Sequence, residues 1–441
     1  MLDRIKSAPE ASLCDILVIG GGPAGSTAAT VLADRGYKVV LLEKDQHPRF
    51  HIGESLLPFN LPLFEKLGVK EKVASIGVIK YGAEFVSPFQ DSTTTFQFAG
   101  ALDDRQPFAY QVRRSEFDEM LLRNSQAHGV EVYERTRALS ADLDRDDGVR
   151  VTARDETGTE TVWHAKFLVD ASGRDTLLSN QLGIKRRSKK HNAAAIFGHF
   201  TGAHRNEGRA HGNISIFFFP HGWFWFIPLH DGTTSVGAVC KPQYFKTRTG
   251  DLKQFYFDTI ALCPKLAHRL RDAKLEGGVT GTGNYSYKSD SMLGRRHILI
   301  GDAFAFIDPM FSTGVYVAMS SAFMGADVVD AALKEPAKYA AAQHKFDRKI
   351  RSALSLFSWY IHRMNMPTMR RMFMGPRNFF KIEQAMLSLL AGDVYVNPTI
   401  RIRLAVFKLI YYFMSARSLP ETWEAVRTRL AGIRTNVTET N

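Results

Sequence analysis

Asp15-Ile-Leu-Val-Ile19, Gly20-Gly-Gly-Pro-Ala-Gly25 and Lys38-Val-Val-Leu-Leu-Glu43 are the segments on which the fold turns. The first is a short, β-branched apolar run, as expected of a buried parallel strand. The glycines break it and open Ser26-Thr-Ala-Ala-Thr-Val-Leu-Ala33, which is small and helix-compatible; Gly36 closes that helix, and the next apolar run ends on Glu43. Strand, turn, helix and strand fit within about thirty residues, the length of one βαβ unit. Gly20, Gly22, Pro23, Ala24 and Gly25 let the backbone approach a pyrophosphate whose charge rests on the helix N-terminus. Glu43, with Lys44 beside it, stands where an acid accepts hydrogen bonds from a ribose. A glycine-rich turn with an incidental acid would meet some of these spacings. This chain meets all of them, and the unit reads as a dinucleotide site.

Working outward, Lys166-Phe-Leu-Val-Asp170 and His297-Ile-Leu-Ile-Gly-Asp302 look like strands returning to the same layer. The stretches around 83–98 and 194–241 are rich in Phe, Thr and Ile and broken by Gly, Pro and Asp, the composition of an antiparallel sheet. The expectation is an α/β chain: a Rossmann-like, three-layer ββα domain over 13–335, with a substrate layer inserted at about 77–105 and 190–285. From 336 to 441 the pattern turns helical, and Phe346, Ile350, Leu354, Phe357 and Ile361 form one apolar stripe.

Composition limits the class of protein. A hydrophobic fraction of 45% and a charged fraction of 23% belong to a soluble globular chain. No uninterrupted apolar run reaches the length of a membrane span. Residues 1–9 are polar and lack a secretory pattern. Three scattered cysteines (Cys14, Cys240 and Cys263) suggest neither a disulfide framework nor a metal site and fit a reducing cytoplasm. The net charge is +12, and from Pro336 onward there are 17 Lys+Arg against 6 Asp+Glu. That basic region is either a solvated helical face or a docking surface for an acidic protein; no nucleic-acid partner is expected.

Further motifs narrow the reading. Gly301-Asp302 places a carboxylate at a strand end, Asp170-Ala-Ser-Gly-Arg174 makes a similar exit, and Arg114 precedes an amphipathic helix. In this order they resemble the group A flavoprotein monooxygenase superfamily over roughly residues 13–335. The resemblance implies that Arg114, Asp302 and the loop at Arg49 hold FAD. Three more segments resemble flavin-dependent halogenases. Phe50-His-Ile-Gly-Glu-Ser55 is similar to the strap between the flavin and substrate chambers. Trp223-Phe-Trp-Phe-Ile-Pro228 satisfies that family's WxWxIP pattern, and Phe306-Ile-Asp-Pro-Met-Phe-Ser-Thr-Gly314 its FxxPxxSxG pattern.

The resemblance assigns Ser55 and Ser312 to the flavin site, Thr313 and Gly314 to halide, and Trp223, Trp225, Phe306 and Pro309 to the wall between flavin and substrate. Lys80 stands where these enzymes carry their essential lysine. Plainer readings exist for each: WxWxIP as core packing, Ser312 as a helix cap, Lys80 as a surface lysine. The expected reaction uses FADH2 from a separate flavin reductase, dioxygen and chloride or bromide to halogenate an aromatic substrate. Phe311 stands where tryptophan-specific members have a glutamate. The chain therefore looks closer to the phenol and pyrrole halogenases, whose substrates are often carried by an acyl carrier protein. The rival readings are a monooxygenase or prenyl-chain reductase on the same scaffold, and a flavoprotein that binds without turnover. Met364, Met366, Met369, Met372 and Met374 either fill a helical core or line a groove.

Overall fold

The computed structural model describes residues 13–188, 193–283, 286–375, 378–395 and 398–418. The glycine-loop unit forms as read. Leu13–Ile19 lies between Val39–Leu42 and Glu160–Asp170, parallel to both. Glu131–Tyr133 extends this sheet at one side, and His297–Leu299 pairs with the last residues of Glu160–Asp170. Every residue of Val39–Leu42 is buried, as in a parallel strand covered on both faces. The other half of Glu160–Asp170 turns outward into an antiparallel meander with Val149–Arg154 and Arg137–Asp142. The helix Pro23–Asp34 packs against Arg114–Ala127 and Gly314–Lys334.

The second sheet has seven strands: Lys274–Thr282, Ala194–Thr201, Thr234–Cys240, Gly222–Pro228, Ile214–Phe219, Gly82–Ser87 and Ser92–Gln97, in that spatial order. All neighbours are antiparallel except Ile214–Phe219 and Gly82–Ser87. The chain thus leaves the nucleotide-binding layer twice to build this sheet and twice returns. Gly77–Lys80 does not join it. That strand pairs with Ala109–Val112 in a separate two-stranded ribbon, so the sheet starts at Gly82, later than the expected 77, and Phe98–Gly100 already leaves it as a helical turn.

The strand Gly222–Pro228 shows why its sequence is apolar throughout. Alternate side chains point to opposite faces. Trp223, Trp225 and Ile227 join the large core shared with the nucleotide-binding layer. Phe224 and Phe226 join a second core with Phe217, Tyr256 and Leu266, beneath the helices Leu252–Ala261 and Pro264–Arg269. Room for the Trp225 indole comes from the neighbouring strand, where Gly237 lies directly opposite.

In the helical region Phe346, Ile350, Leu354, Phe357 and Ile361 are all buried on Pro336–Ile361, as the spacing predicts. Met364, Met366, Met369 and Met374 are buried in the core and Met372 packs at its edge, the gap-filling alternative. Residues 419–441, which carry Arg427, Arg429 and Arg434 of the basic excess, lie outside the described residues, as do 189–192 and 284–285 of the inserted stretch. Among the described residues one helix, Gly314–Lys334, is long and apolar enough to cross a membrane, and most of it is buried inside the fold.

A Cβ at Gly237 would lie 2.1 Å from the Trp225 ring. Gly237→Val is therefore expected to lower unfolding free energy by about 1–3 kcal/mol, the usual cost of overpacking. Urea titration followed by tryptophan fluorescence checks this; an unchanged midpoint would contradict the packing described.

Candidate functional site: a dinucleotide cavity and a lysine behind its wall

Between the two sheets lies a cavity of about 1030 Å³. That is at the top of the range for small-molecule sites and suits a dinucleotide. Of the residues singled out above, it brings together Gly20, Gly22, Pro23, Ala24, Glu43, Lys44, Arg49, Ser55, Arg114, Trp223, Trp225, Asp302, Phe306, Pro309, Ser312, Thr313 and Gly314. Gly25 and Lys80 are not on its surface.

Gly25 acts through packing. A Cβ there would fall 1.8 Å from the Gly20 carbonyl oxygen, so only glycine lets the helix start this close to the strand. Pro23 occupies the first turn, and Gly22 at the N-cap offers no side chain to satisfy the free N–H groups. Arg49 reaches over this turn: a Cβ on Gly22 would be 3.5 Å from its guanidinium. Free amides and an arginine at one helix end suit an anion such as a pyrophosphate.

Glu43 is buried at the end of its strand. One carboxylate oxygen accepts from the Gly21 N–H at 2.5 Å, the other from the Asp45 N–H at 2.9 Å. Each oxygen keeps further acceptor capacity for a ribose hydroxyl. At the opposite end Asp302 sits in a helical turn after His297–Leu299, and its backbone carbonyl accepts from the Tyr287 hydroxyl at 2.7 Å. Its carboxylate is enclosed by protein yet open to the cavity, with no hydrogen-bond partner among the described residues. Burial pushes the carboxyl up to about 6, against the pull of the Arg114 and Arg174 guanidiniums. An unpartnered carboxylate facing a cavity of this size fits the polyhydroxyl chain of FAD.

Arg114 is more committed than its sequence position suggests. It forms a two-point pair with Asp118, at 2.7 and 2.9 Å, and donates to the Ile52 carbonyl at 2.8 Å. It therefore braces the Phe50–Ser55 strap while reaching the cavity wall. Asp118 also accepts from Arg49 at 3.2 Å, so one buried carboxylate fixes both arginines.

In the Phe306–Gly314 segment the plainer reading of Ser312 does not hold. Ser312 does not cap the following helix: it lies in the left-handed region at φ 56°, and Thr313 occupies the N-cap without a side-chain bond. The first N–H groups of Gly314–Lys334 thus stay free where Ser312, Thr313, Gly314 and Val315 border the cavity. A cavity wall at the N-terminus of a 21-residue helix favours an anion.

Lys80 lies behind the strap. It is 1% exposed, and its Nζ donates to the Ser55 hydroxyl at 2.9 Å and the Leu56 carbonyl at 2.6 Å, with the Phe98 ring 5.2 Å away. The surface-lysine reading does not hold. Burial lowers its ammonium to about 7. Ser55 itself borders the cavity, so one hydroxyl separates cavity from lysine. Phe311, just before the Ser312–Gly314 turn, is buried and stacked on Phe373, 6.3 Å between ring centres, leaving this position apolar.

Sequence reasoning passed over several cavity residues. Thr136, Ala138 and Ser140 come from the antiparallel meander, whose sequence carries no motif. Asp308, inside the FxxPxxSxG segment but not on the cavity surface, accepts from the Met310 N–H at 3.1 Å and is pushed up to about 7 by burial. Among the described residues no group of three or more His, Cys, Asp or Glu is placed to hold a metal ion.

The fold and this cavity define an FAD-dependent oxidoreductase, and residues 13–344 match the family described as FAD binding domain. The chain is 36% identical over 355 residues to a tryptophan 2-halogenase of Chondromyces crocatus, the match covering 78% of this chain and 67% of that one. It is 30% identical over 418 residues to a 1H-pyrrole-2-carbonyl-peptidyl-carrier-protein chlorinase of Pseudomonas fluorescens, covering 88% and 91%. Among solved structures, the myxobacterial chondrochloren halogenase CndH matches with a TM-score of 0.76 and 32% identity, over 88% of this chain and 92% of that one. The chain belongs to the flavin-dependent halogenases.

An aspartate titrating near 6 when folded and near 3.8 when unfolded holds its proton more tightly in the folded chain. Its contribution to stability is then full below the unfolded value and lost as pH rises towards the folded one. FAD-free Asp302→Asn is expected to match the parent near pH 4 and exceed it by about 1–2 kcal/mol at pH 7. Urea denaturation at both pH values measures this; a variant less stable than the parent at pH 7 would contradict the enclosed carboxylate.

Proposed function

We propose that this enzyme uses reduced FAD delivered by a separate reductase, dioxygen and chloride or bromide to halogenate an electron-rich phenolic or pyrrolic ring, free or tethered to an acyl carrier protein. Lys80 is the residue that presents the halogen. The observation that carries this reading is the burial of Lys80 directly behind Ser55, a residue that borders the FAD cavity on its other side.

FAD, when bound and reduced, supplies with dioxygen the oxidising chemistry that converts halide to hypohalous acid. The chain's own residues divide the remaining work. Glu43, Arg49 and the glycine turn hold the nucleotide end, and Asp302 grips the polyhydroxyl chain. The free amides at Thr313 and Gly314 seat the halide. Trp223, Trp225 and Ile227 form an apolar wall, and the Trp225 indole N–H is tied to Ser235 at 3.1 Å, which fixes the ring. That wall and the strap keep the organic substrate away from the oxidising centre, favouring halogenation over hydroxylation. Lys80 meets the electrophile as a half-deprotonated amine near neutral pH, held by two neutral acceptors. Aromatic walls orient the ring, and orientation sets which carbon reacts.

Two observations support the substrate class. Phe311 leaves an apolar side chain at a position next to the anion seat, so the ring has to be reactive enough to lose its proton without a carboxylate there. A relative aligned over most of both chains is named for a carrier-bound pyrrole substrate. Delivery of flavin by a separate reductase agrees with a single glycine-loop unit among the described residues.

Purified enzyme with FAD, a flavin reductase, NADH and a panel of phenols and pyrroles, with and without bromide, is expected to give halogen isotope patterns by mass spectrometry. Lys80→Met is expected to abolish them while FAD absorbance on the protein persists. Bromide-independent oxygenated products would move the enzyme to the monooxygenases. Because only the neutral amine can take up the electrophile, the halogenation rate is expected to rise about ten-fold per pH unit below pH 7 and level off above it. A rate that falls across this interval would contradict an unprotonated Lys80.

A further inference from the structure

The Phe50–Ser55 strap is fastened on three sides. On one side the Ile52 carbonyl accepts from Arg114, and the backbone of Glu54 and Leu56 pairs with Val112 and Tyr110 of the two-stranded ribbon at 2.8 and 3.0 Å. Towards the substrate layer there is one polar tie among the described residues. Glu54 is buried on the cavity wall, and its Oε1 lies 2.8 Å from His199 Nε2, on the strand Ala194–Thr201. Phe50 reinforces this side, stacked on Phe197 at 6.0 Å and edge-on to His199 at 6.1 Å. The third tie is the lysine itself, through Ser55 and Leu56.

Glu54 and Ser55 are consecutive, so whatever holds the first limits the second. A buried carboxylate without a hydrogen-bonded partner is strongly disfavoured and would draw the strap towards water. His199 supplies the partner from a different sheet. We propose that His199 is a positioning residue: through Glu54 it pegs the strap to the substrate layer, and thereby holds the Ser55 hydroxyl between the FAD cavity and Lys80. Without the peg the strap lifts, Lys80 loses its shield, and oxidant formed in the cavity escapes to water. The inference rests on the reading of Lys80 above, but its structural content can be read without turnover.

The test compares His199→Gln with His199→Asn. The Gln amide nitrogen reaches the place of Nε2 and can donate to Glu54; the Asn amide is too short. Both are polar and differ only in reach. FAD-loaded protein is pulse-labelled with acetic anhydride, and acetylation of Lys80 is measured by mass spectrometry against exposed Lys72 as internal reference. The parent and His199→Gln are expected to keep Lys80 protected. In His199→Asn, Lys80 labelling is expected to rise about ten-fold, the scale set by losing a hydrogen bond to a buried charge. Lys72 labelling and melting temperature are expected to match His199→Gln. Halogenated product per flavin oxidised is expected to fall in parallel in His199→Asn and to be recovered in His199→Gln.

Equal Lys80 protection in the two variants would overturn the peg. So would a rise in labelling shared by the half-buried Lys70, Lys185 and Lys408 in His199→Asn, which would mean a general structural role. If Lys80 is exposed in His199→Asn but the parent forms no halogenated product, the peg stands and the proposed reaction fails. If the parent halogenates and both variants match it in protection and coupling, the reaction stands and the peg fails.

Discussion

A lysine amine enclosed by protein and held by two neutral oxygens is the constraint around which the rest of the site is arranged. Burial alone lowers Lys80 from 10.5 to about 7. A change of that size corresponds to roughly 5 kcal/mol of preference for the uncharged form. Elsewhere the fold treats buried charge differently: Arg114 is locked to Asp118, and Arg269 to Glu84 at 2.7 Å. At Lys80 the acceptors are a hydroxyl and a carbonyl, which hold the amine in place without forcing it to stay protonated. A carboxylate in the same spot would have fixed the charge and removed the nucleophilic lone pair at neutral pH.

The second requirement is partition, and the sheet supplies it. Gly222–Pro228 sends its tryptophans to the cavity side and its phenylalanines into a separate core, so each face of one strand belongs to a different compartment. The strap completes the boundary where the sheet ends. In the proposed reaction the anion sits at the start of Gly314–Lys334 on the cavity side and the amine on the other, with Ser55, which borders the cavity and bonds Lys80, between them. The wall is rigid because it is packed on both faces, and a close-packed interior has low compressibility.

What could be read in the chain follows from how local each feature is. The glycine loop, Glu43 and Asp302 depend on spacing within one βαβ unit or at one strand end, and all three face the cavity. WxWxIP could be read as core or as wall, and period-two alternation makes it both. Phe346 to Ile361 formed the expected stripe because helical spacing is itself local. The misses lie where meaning depends on partners distant in sequence. Arg114 is tied to Asp118, four residues on along its helix and legible in the spacing, and also to the Ile52 carbonyl of the strap, which spacing does not reveal. His199 carries no motif; only the meeting of two sheets brings it to Glu54. Lys80 could be singled out only by resemblance, since full burial of a lysine runs against every compositional expectation.

The account stands on one geometric claim: halide and amine occupy opposite sides of the strap. Crystals grown with FAD and bromide, measured at the bromine absorption edge, test it directly. The predicted result is an anomalous peak within about 3.5 Å of the Thr313 and Gly314 amides, the range of a hydrogen-bonded anion, with Ser55 between that peak and Lys80. A bromide bound against Lys80 Nζ, with the amides at Gly314 unoccupied beside bound FAD, would contradict it.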